Sequence, residues 1–185
     1  DTTAVEIDGW TTGPGNYIRV FTTDPARHDG RWSYDKYRLV TDNYYASLEI
    51  KENVVQFDGL QIDNTRSSDG SGAAVRFSNS SNFYLTVSNN ILVQSGGRNE
   101  MYSGGICGAG VSTFNFYNNI IYDCYNCINI FVGTTNSELN INLFNNTIYN
   151  ANNIGIRLEE YSSTARYRIK NNIVEGSGTN YSFTN

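Results

Sequence analysis

Histidine occurs once and cysteine three times in the 185 residues, so the side-chain chemistry open to the chain is narrow. The densest polar and aromatic cluster is Asp24-Pro25-Ala26-Arg27-His28-Asp29-Gly30-Arg31-Trp32, with Tyr34 just beyond. His28 with Asp29 could form an acid or base pair, and Trp32 with Tyr34 could stack on a sugar ring. Adjacent residues seldom face one group. The plainer expectation is a turn held by aspartate side chains, with Trp32 as a lid over the core. Cys107, Cys124 and Cys127 are too few for a disulfide scaffold, and Cys124-Tyr125-Asn126-Cys127 lacks the second pair of a structural zinc site. They are expected as small buried thiols, with one bridge left open, and Cys124 as a packing residue.

Composition bounds the rest. Apolar residues make up 39% and aromatics 14%, and no apolar run reaches membrane-spanning length, so neither a disordered tail nor a membrane-inserted chain is expected. A net charge of −5 argues against nucleic acid as a partner, because phosphate binding needs a basic face. The chain suits one domain over 1–185; since Asp1 is not an initiator Met, it is expected to be part of something longer.

Asparagine supplies 26 positions, and its placement is periodic. The pairs Asn89-Asn90, Asn118-Asn119, Asn145-Asn146 and Asn171-Asn172 are each followed by an apolar strand signal, in steps of 29, 27 and 26 residues. Before each pair runs an alternating segment whose apolar members align: Leu85 and Val87, Phe114 and Phe116, Ile141 and Leu143, Tyr167 and Ile169. Alternation with period two predicts strands. A divergent copy, Val55 to Leu60, reads as one residue shorter, with Gly59 replacing the pair. A third strand per repeat is predicted at Ala74–Phe77, around Ile106, around Ile128–Ile130 and at Ile154–Leu158. Such a unit buries its apolar face only by stacking on its neighbours, which predicts a coil of parallel sheets. Asn suits the corners because it tolerates left-handed backbone angles and its amide can bond the Asn of the next coil, so Asn90, Asn119, Asn146 and Asn172 are expected to form a ladder.

These copies, with Arg27 to Trp32 leading to Lys36-Tyr37-Arg38-Leu39, resemble the secreted bacterial right-handed parallel β-helix repeat proteins, the superfamily that includes pectate lyases. The resemblance implies an all-β, right-handed, single-stranded β-helix of about six coils with three strands each. Irregular coils are expected over 1–45, regular repeats over 46–178 and the start of a further coil at 179–185. Arg168-Ile169-Lys170 matches one element of the polygalacturonase set, but its Asp pair and Gly-His-Gly are missing, and the tripeptide reads as a solvent-facing strand.

A calcium-assisted lyase would need carboxylates beside an Arg or Lys on the outer face of each coil's first strand. The expected outward column is Arg76, Cys107, Asn129 and Arg157, with no acid, while Asp63, Asp69, Glu159 and Glu160 scatter over loops. No catalytic residue, cofactor or metal is therefore assigned, and calcium is not indicated. The leading expectation is a non-enzymatic extracellular or cell-surface module, structural or adhesive, part of a surface protein, fibre or filament. It would associate with itself or with flanking domains through open coil ends, and contact carbohydrate weakly through Arg27, His28, Trp32, Tyr34, Arg76 and Arg157. A polysaccharide lyase or glycoside hydrolase acting on the loop face is the alternative, and a viral fibre or decoration protein a third.

Overall fold

The computed structural model describes residues 1–67, 72–78, 82–96, 102–104, 110–132, 137–160 and 165–184. Its strands follow one another in threes. The first set is β1 (Val5–Ile7), β2 (Ile18–Phe21) and β3 (Leu39–Thr41); the next is β4 (Ala46–Ile50), β5 (Val54–Asp58) and β6 (Gln61–Asn64). Then come β7 (Ala73–Phe77), β8 (Tyr84–Ser88) and β9 (Ile91–Val93), followed by β10 (Tyr102–Gly104), β11 (Gly110–Tyr117) and β12 (Ile120–Tyr122). The series ends with β13 (Asn126–Val132), β14 (Ser137–Phe144), β15 (Thr147–Tyr149), β16 (Ile154–Glu160), β17 (Ala165–Lys170), β18 (Ile173–Glu175) and β19 (Thr179–Thr184). Each strand pairs with the third before and the third after it. Sheet 1 thus runs β1-β4-β7-β10-β13-β16-β19, sheet 2 runs β2 to β17 and sheet 3 runs β3 to β18. All strand pairings are parallel, and among the described residues there is no helix, so the chain is a parallel β-solenoid.

Register pairing makes columns of like residues. Ile7, Ile50 and Phe77 stack in sheet 1; Phe57, Val87, Phe116 and Leu143 in sheet 2; Leu39, Ile62, Leu92, Ile121 and Ile148 in sheet 3. All are at most 5% exposed and form one interior. The alternation read from the sequence is what turns every second side chain into it.

The asparagine pair divides its work. The first member takes the left-handed conformation: Asn89, Asn118, Asn145 and Asn171 have φ between +54° and +56°. The second turns inward and stacks. Asn90 donates from its backbone N–H and its Nδ2 to Oδ1 of Asn119 (3.0 and 3.1 Å), Asn119 does the same to Asn146 (3.1 and 2.9 Å), and Asn146 to Asn172 (3.0 and 2.9 Å). The Nδ2 groups of Asn119, Asn146 and Asn172 also donate to the carbonyls of Val87, Phe116 and Leu143 (2.8, 3.0 and 2.8 Å). Asn119 and Asn146 are thus bonded on both sides in a dry setting, where an unmade bond costs most.

Two details differ from the sequence reading. The divergent corner is not shorter: Asp58 pairs with Ser88 and Gln61 with Ile91, so Gly59 occupies the left-handed position at φ +78° and Leu60 stands at the ladder position. The Leu60 N–H donates to Oδ1 of Asn90 (2.9 Å), and the ladder begins there. The fourth strand of sheet 1 is described at Tyr102–Gly104, where Ser103 is the register partner of both Arg76 and Asn129, and the strand expected around Ile106 lies outside the described residues. Cys107 and Asp69 lie outside the described residues. β1 went unread, being short and set among polar residues.

Cys124, at the turn between β12 and β13, and Cys127, in β13, are both fully buried and joined by a disulfide. Closing so small a loop stabilises the fold by about 2 kcal/mol in the chain-entropy account. Reduction is therefore expected to lower the unfolding free energy of the native chain, read from urea unfolding, by that amount, and to leave a Cys124→Ala/Cys127→Ala variant unmoved.

Candidate functional site

Between β2 and β3 the chain leaves the coil, and this excursion carries the cluster singled out in the sequence. It is fastened by contacts to the coil rather than by its own aspartates. Arg27 grips Asp58 through two nitrogens (3.1 and 2.8 Å), and Asp58 also accepts from Arg19 (3.2 Å) and from Nδ2 of Asn89 (2.7 Å). The guanidinium of Arg27, and after it the Asn89 amide and Arg19, hold the Asp58 carboxyl well below the usual carboxylate range. His28 reaches the corner of the following coil, its Nε2 lying 2.9 Å from the Asn89 carbonyl oxygen. Because the Gly30 N–H donates to Nδ1 (3.1 Å), that nitrogen is the acceptor and Nε2–H is the donor to Asn89. Burial pulls the imidazole below its ordinary value, against the raising pull of the Asn89 carbonyl. His28 is thus a neutral fastener and is not paired with Asp29.

Both groups tie stability to pH with one sign. Each has a folded value below its unfolded value, so its contribution is complete above the unfolded value and is lost as pH falls toward the folded one. The melting temperature is expected to fall in two legs, one just below the ordinary imidazole range and one below the ordinary carboxylate range. His28→Gln flattens the first and Asp58→Asn the second, as scanning calorimetry across pH would read.

Gly59 completes the fastening. A Cβ there would lie 2.7 Å from the Arg27 guanidinium and 2.7 Å from Oγ1 of Thr22, on a backbone at φ +78°. Gly59→Ala is expected to cost about 2 kcal/mol from left-handed strain and from displacing Arg27, visible as a lower urea midpoint.

Downstream of His28, Gln61 clasps the loop. Its Oε1 accepts the Ser33 N–H (2.6 Å), and its Nε2 donates to the carbonyls of Ser33 (3.1 Å) and Tyr37 (3.0 Å). Trp32, between the two fasteners, does not lie over the interior as the sequence led us to expect. With Tyr34, Arg38, Val40, Asp63, Asp1 and Thr2 it lines an open cleft of about 340 Å³ on the outer side of sheet 3. Arg38 lies 4.6 Å from the centre of the Tyr34 ring, which stays 78% exposed. Asp63 is 8% exposed and fixed by Ser95, whose N–H and Oγ donate to its two oxygens at 2.8 to 3.0 Å.

Arg76 and Arg157 are elsewhere, on the outer face of sheet 1. The register column there runs Glu6, Glu49 and Arg76, then through Ser103 to Asn129, Arg157 and Ser182, so it includes two acids, while Cys107 lies outside the described residues. The sequence expectation of an acid-free column is corrected accordingly. Arg76 lies over the Tyr45 ring (5.4 Å), whereas Arg157 pairs with Glu159. Three strand spacings, about 14 Å, separate the two arginines, too far to hold one small anion together. Among the described residues no three of His, Cys, Asp and Glu are placed to hold a metal ion, and no helix is long and apolar enough to cross a membrane.

Of the six proposed contact residues, then, Trp32 and Tyr34 share a site, Arg27 and His28 support the loop that carries them, and Arg76 and Arg157 stand apart. Arg38 and Asp63 were not assigned to this site, since nothing in their local sequence says that they meet. No protein-family model matches the sequence, and no significant match is found among curated proteins or solved structures.

Proposed function

We propose that the chain is a non-enzymatic structural or adhesive module of an extracellular surface protein, fibre or filament, joined at its coil ends to further coils. The resemblance of its Asn-Asn repeats to secreted bacterial β-helix proteins of the pectate-lyase-like superfamily supports the setting. The observation that carries the reading is the last coil. Its inward positions, Tyr167, Ile169 and Val174, are only half-buried and Phe183 is 54% exposed, although each continues a column that is fully buried one coil earlier. A parallel edge with an apolar interior behind it is a seat for another coil. At the opposite end Val5 is 43% exposed, and Ile18 and Val20 are half-buried.

Head-to-tail stacking of two copies, with the register of sheet 1 continued from β19 to the β1 of a second copy, sets Phe183 against Ile7 and Tyr181 against Val5. Self-association is therefore expected to disappear in Phe183→Asp, as sedimentation velocity would read. A monomer at every concentration and salt contradicts assembly from copies of this chain, and unsaturated products released from an acidic polysaccharide overturn the non-enzymatic reading.

A lyase or hydrolase is the second reading. It is favoured by Glu49 beside Arg76 in register, and by the Oδ1 of Asn129, which is buried without a hydrogen-bond partner on that face.

A further inference from the structure

We propose that the cleft beside Trp32 and Tyr34 binds a chain of neutral sugars laid along the outer face of sheet 3. The site rests on the adhesive part of the reading above and gives it a ligand class. Sugar rings present an apolar C–H face and a rim of hydroxyls, so a protein site for them needs flat aromatic surface next to fixed acceptors. Trp32 and Tyr34 supply the surface, and the Asp63 carboxylate at the cleft supplies the acceptor.

The site is held ready in advance. On one side of Trp32 the loop is fastened by His28 to Asn89, and on the other by Gln61 to Ser33, while Ser95 fixes Asp63 from the next coil. Groups already ordered on folding lose little further freedom on binding, which matters for a weak ligand. An aromatic pair that only shielded the coil would not leave Tyr34 at 78% exposure.

Charge selects neutral over acidic sugars. The outward column that starts at the cleft reads Val40, Asp63, Val93, Tyr122, Tyr149 and Glu175, with two acids and no base. The cationic side chain of the cleft, Arg38, is drawn onto Tyr34, and the Asp1 ammonium is taken up by the Arg38 carbonyl (2.8 Å). A uronate would bring its carboxylate beside the buried Asp63, where like charge is poorly screened. The same column gives the direction of the chain: Tyr122 and Tyr149 are register partners on adjacent strands, and Tyr149 is 55% exposed. Adjacent strands lie about 4.8 Å apart, close to the advance of one sugar in an extended β-linked chain.

The test is titration of the full chain, in a Trp10→Phe background that leaves Trp32 as the only indole, with cellohexaose, mannohexaose and hexagalacturonate. Trp32 emission should shift with at least one neutral hexasaccharide, and hexagalacturonate should bind at least about 10-fold more weakly. Calorimetric titration should show Tyr34→Ala and Trp32→Ala each weakening that affinity by about 10-fold. Tyr34→Ala serves as the fold-neutral variant, its melting temperature unchanged. No response to either neutral sugar, tighter binding of the uronate, or undiminished affinity in Tyr34→Ala overturns the proposal. Shortening of the bound hexasaccharide, followed by chromatography, would overturn the non-enzymatic reading while leaving the binding site standing.

Discussion

Asn146→Ala is expected to cost about 4 kcal/mol of unfolding free energy, enough to leave a marginally stable chain partly unfolded. The side chain is fully buried and serves three neighbours. Its Oδ1 accepts from the N–H and Nδ2 of Asn119, and its Nδ2 donates to Oδ1 of Asn172 and to the Phe116 carbonyl. Truncation strands these groups without water, and each orphan costs about 1–3 kcal/mol. Asn146→Asp should be nearly as harmful, since a carboxylate keeps the acceptor, loses both donors and adds a buried charge. The neighbouring Asn145 gives the contrast. It is exposed and holds φ +56°, so Asn145→Gly should be tolerated and Asn145→Ala should cost only about 1 kcal/mol of left-handed strain. Urea unfolding of the four variants separates the two roles of the pair.

Phe114→Ala is expected to be as damaging, at about 4 kcal/mol. Phe114 is fully buried, with its ring 4.4 Å from that of Phe83, 5.7 Å from Phe77 and 6.4 Å from Phe116. These rings come from two adjacent coils, so a cavity here loosens both at once. Phe114→Leu should cost less than half as much, because most of the volume remains. Phe21→Ala, at a side chain 50% exposed, should change the midpoint little. Equal losses at Phe114 and Phe21 would mean that the rings do not fill one interior.

The regular coil was legible in the sequence because stacking forces one environment on equivalent residues, and Phe114, Ile141 and Tyr167 repeat for that reason. Where a coil departs from the repeat, legibility fails. The Asp58-Gly59 corner looked shortened because Leu60 reads as the first residue of a strand, although it stands where Asn90 stands one coil on. Arg27 and His28 drew attention as chemically capable side chains. Their partners, Asp58 and Asn89, lie 31 and 61 residues away, and no local pattern signals such contacts. Trp32 and Tyr34 were recognised as a pair suited to sugar, but Asp63 was read as a loop charge. Its place at the cleft follows from the register of β3 with β6 and from Ser95, both set by the stack. The outward face of sheet 1 was misread for a related reason: without the register of β4, Glu49 could not be placed beside Arg76.

Everything said of the cleft, the fasteners and the coil ends depends on the inward asparagines being stacked. Side-chain amide hydrogen exchange by NMR measures this directly. The Nδ2 hydrogens of Asn119 and Asn146 should be strongly protected, with cross-peaks linking Asn90 to Asn119 and Asn119 to Asn146 across their 29- and 27-residue separations. Exchange at the rate of exposed amides such as Asn145, with no such cross-peaks, would contradict the account.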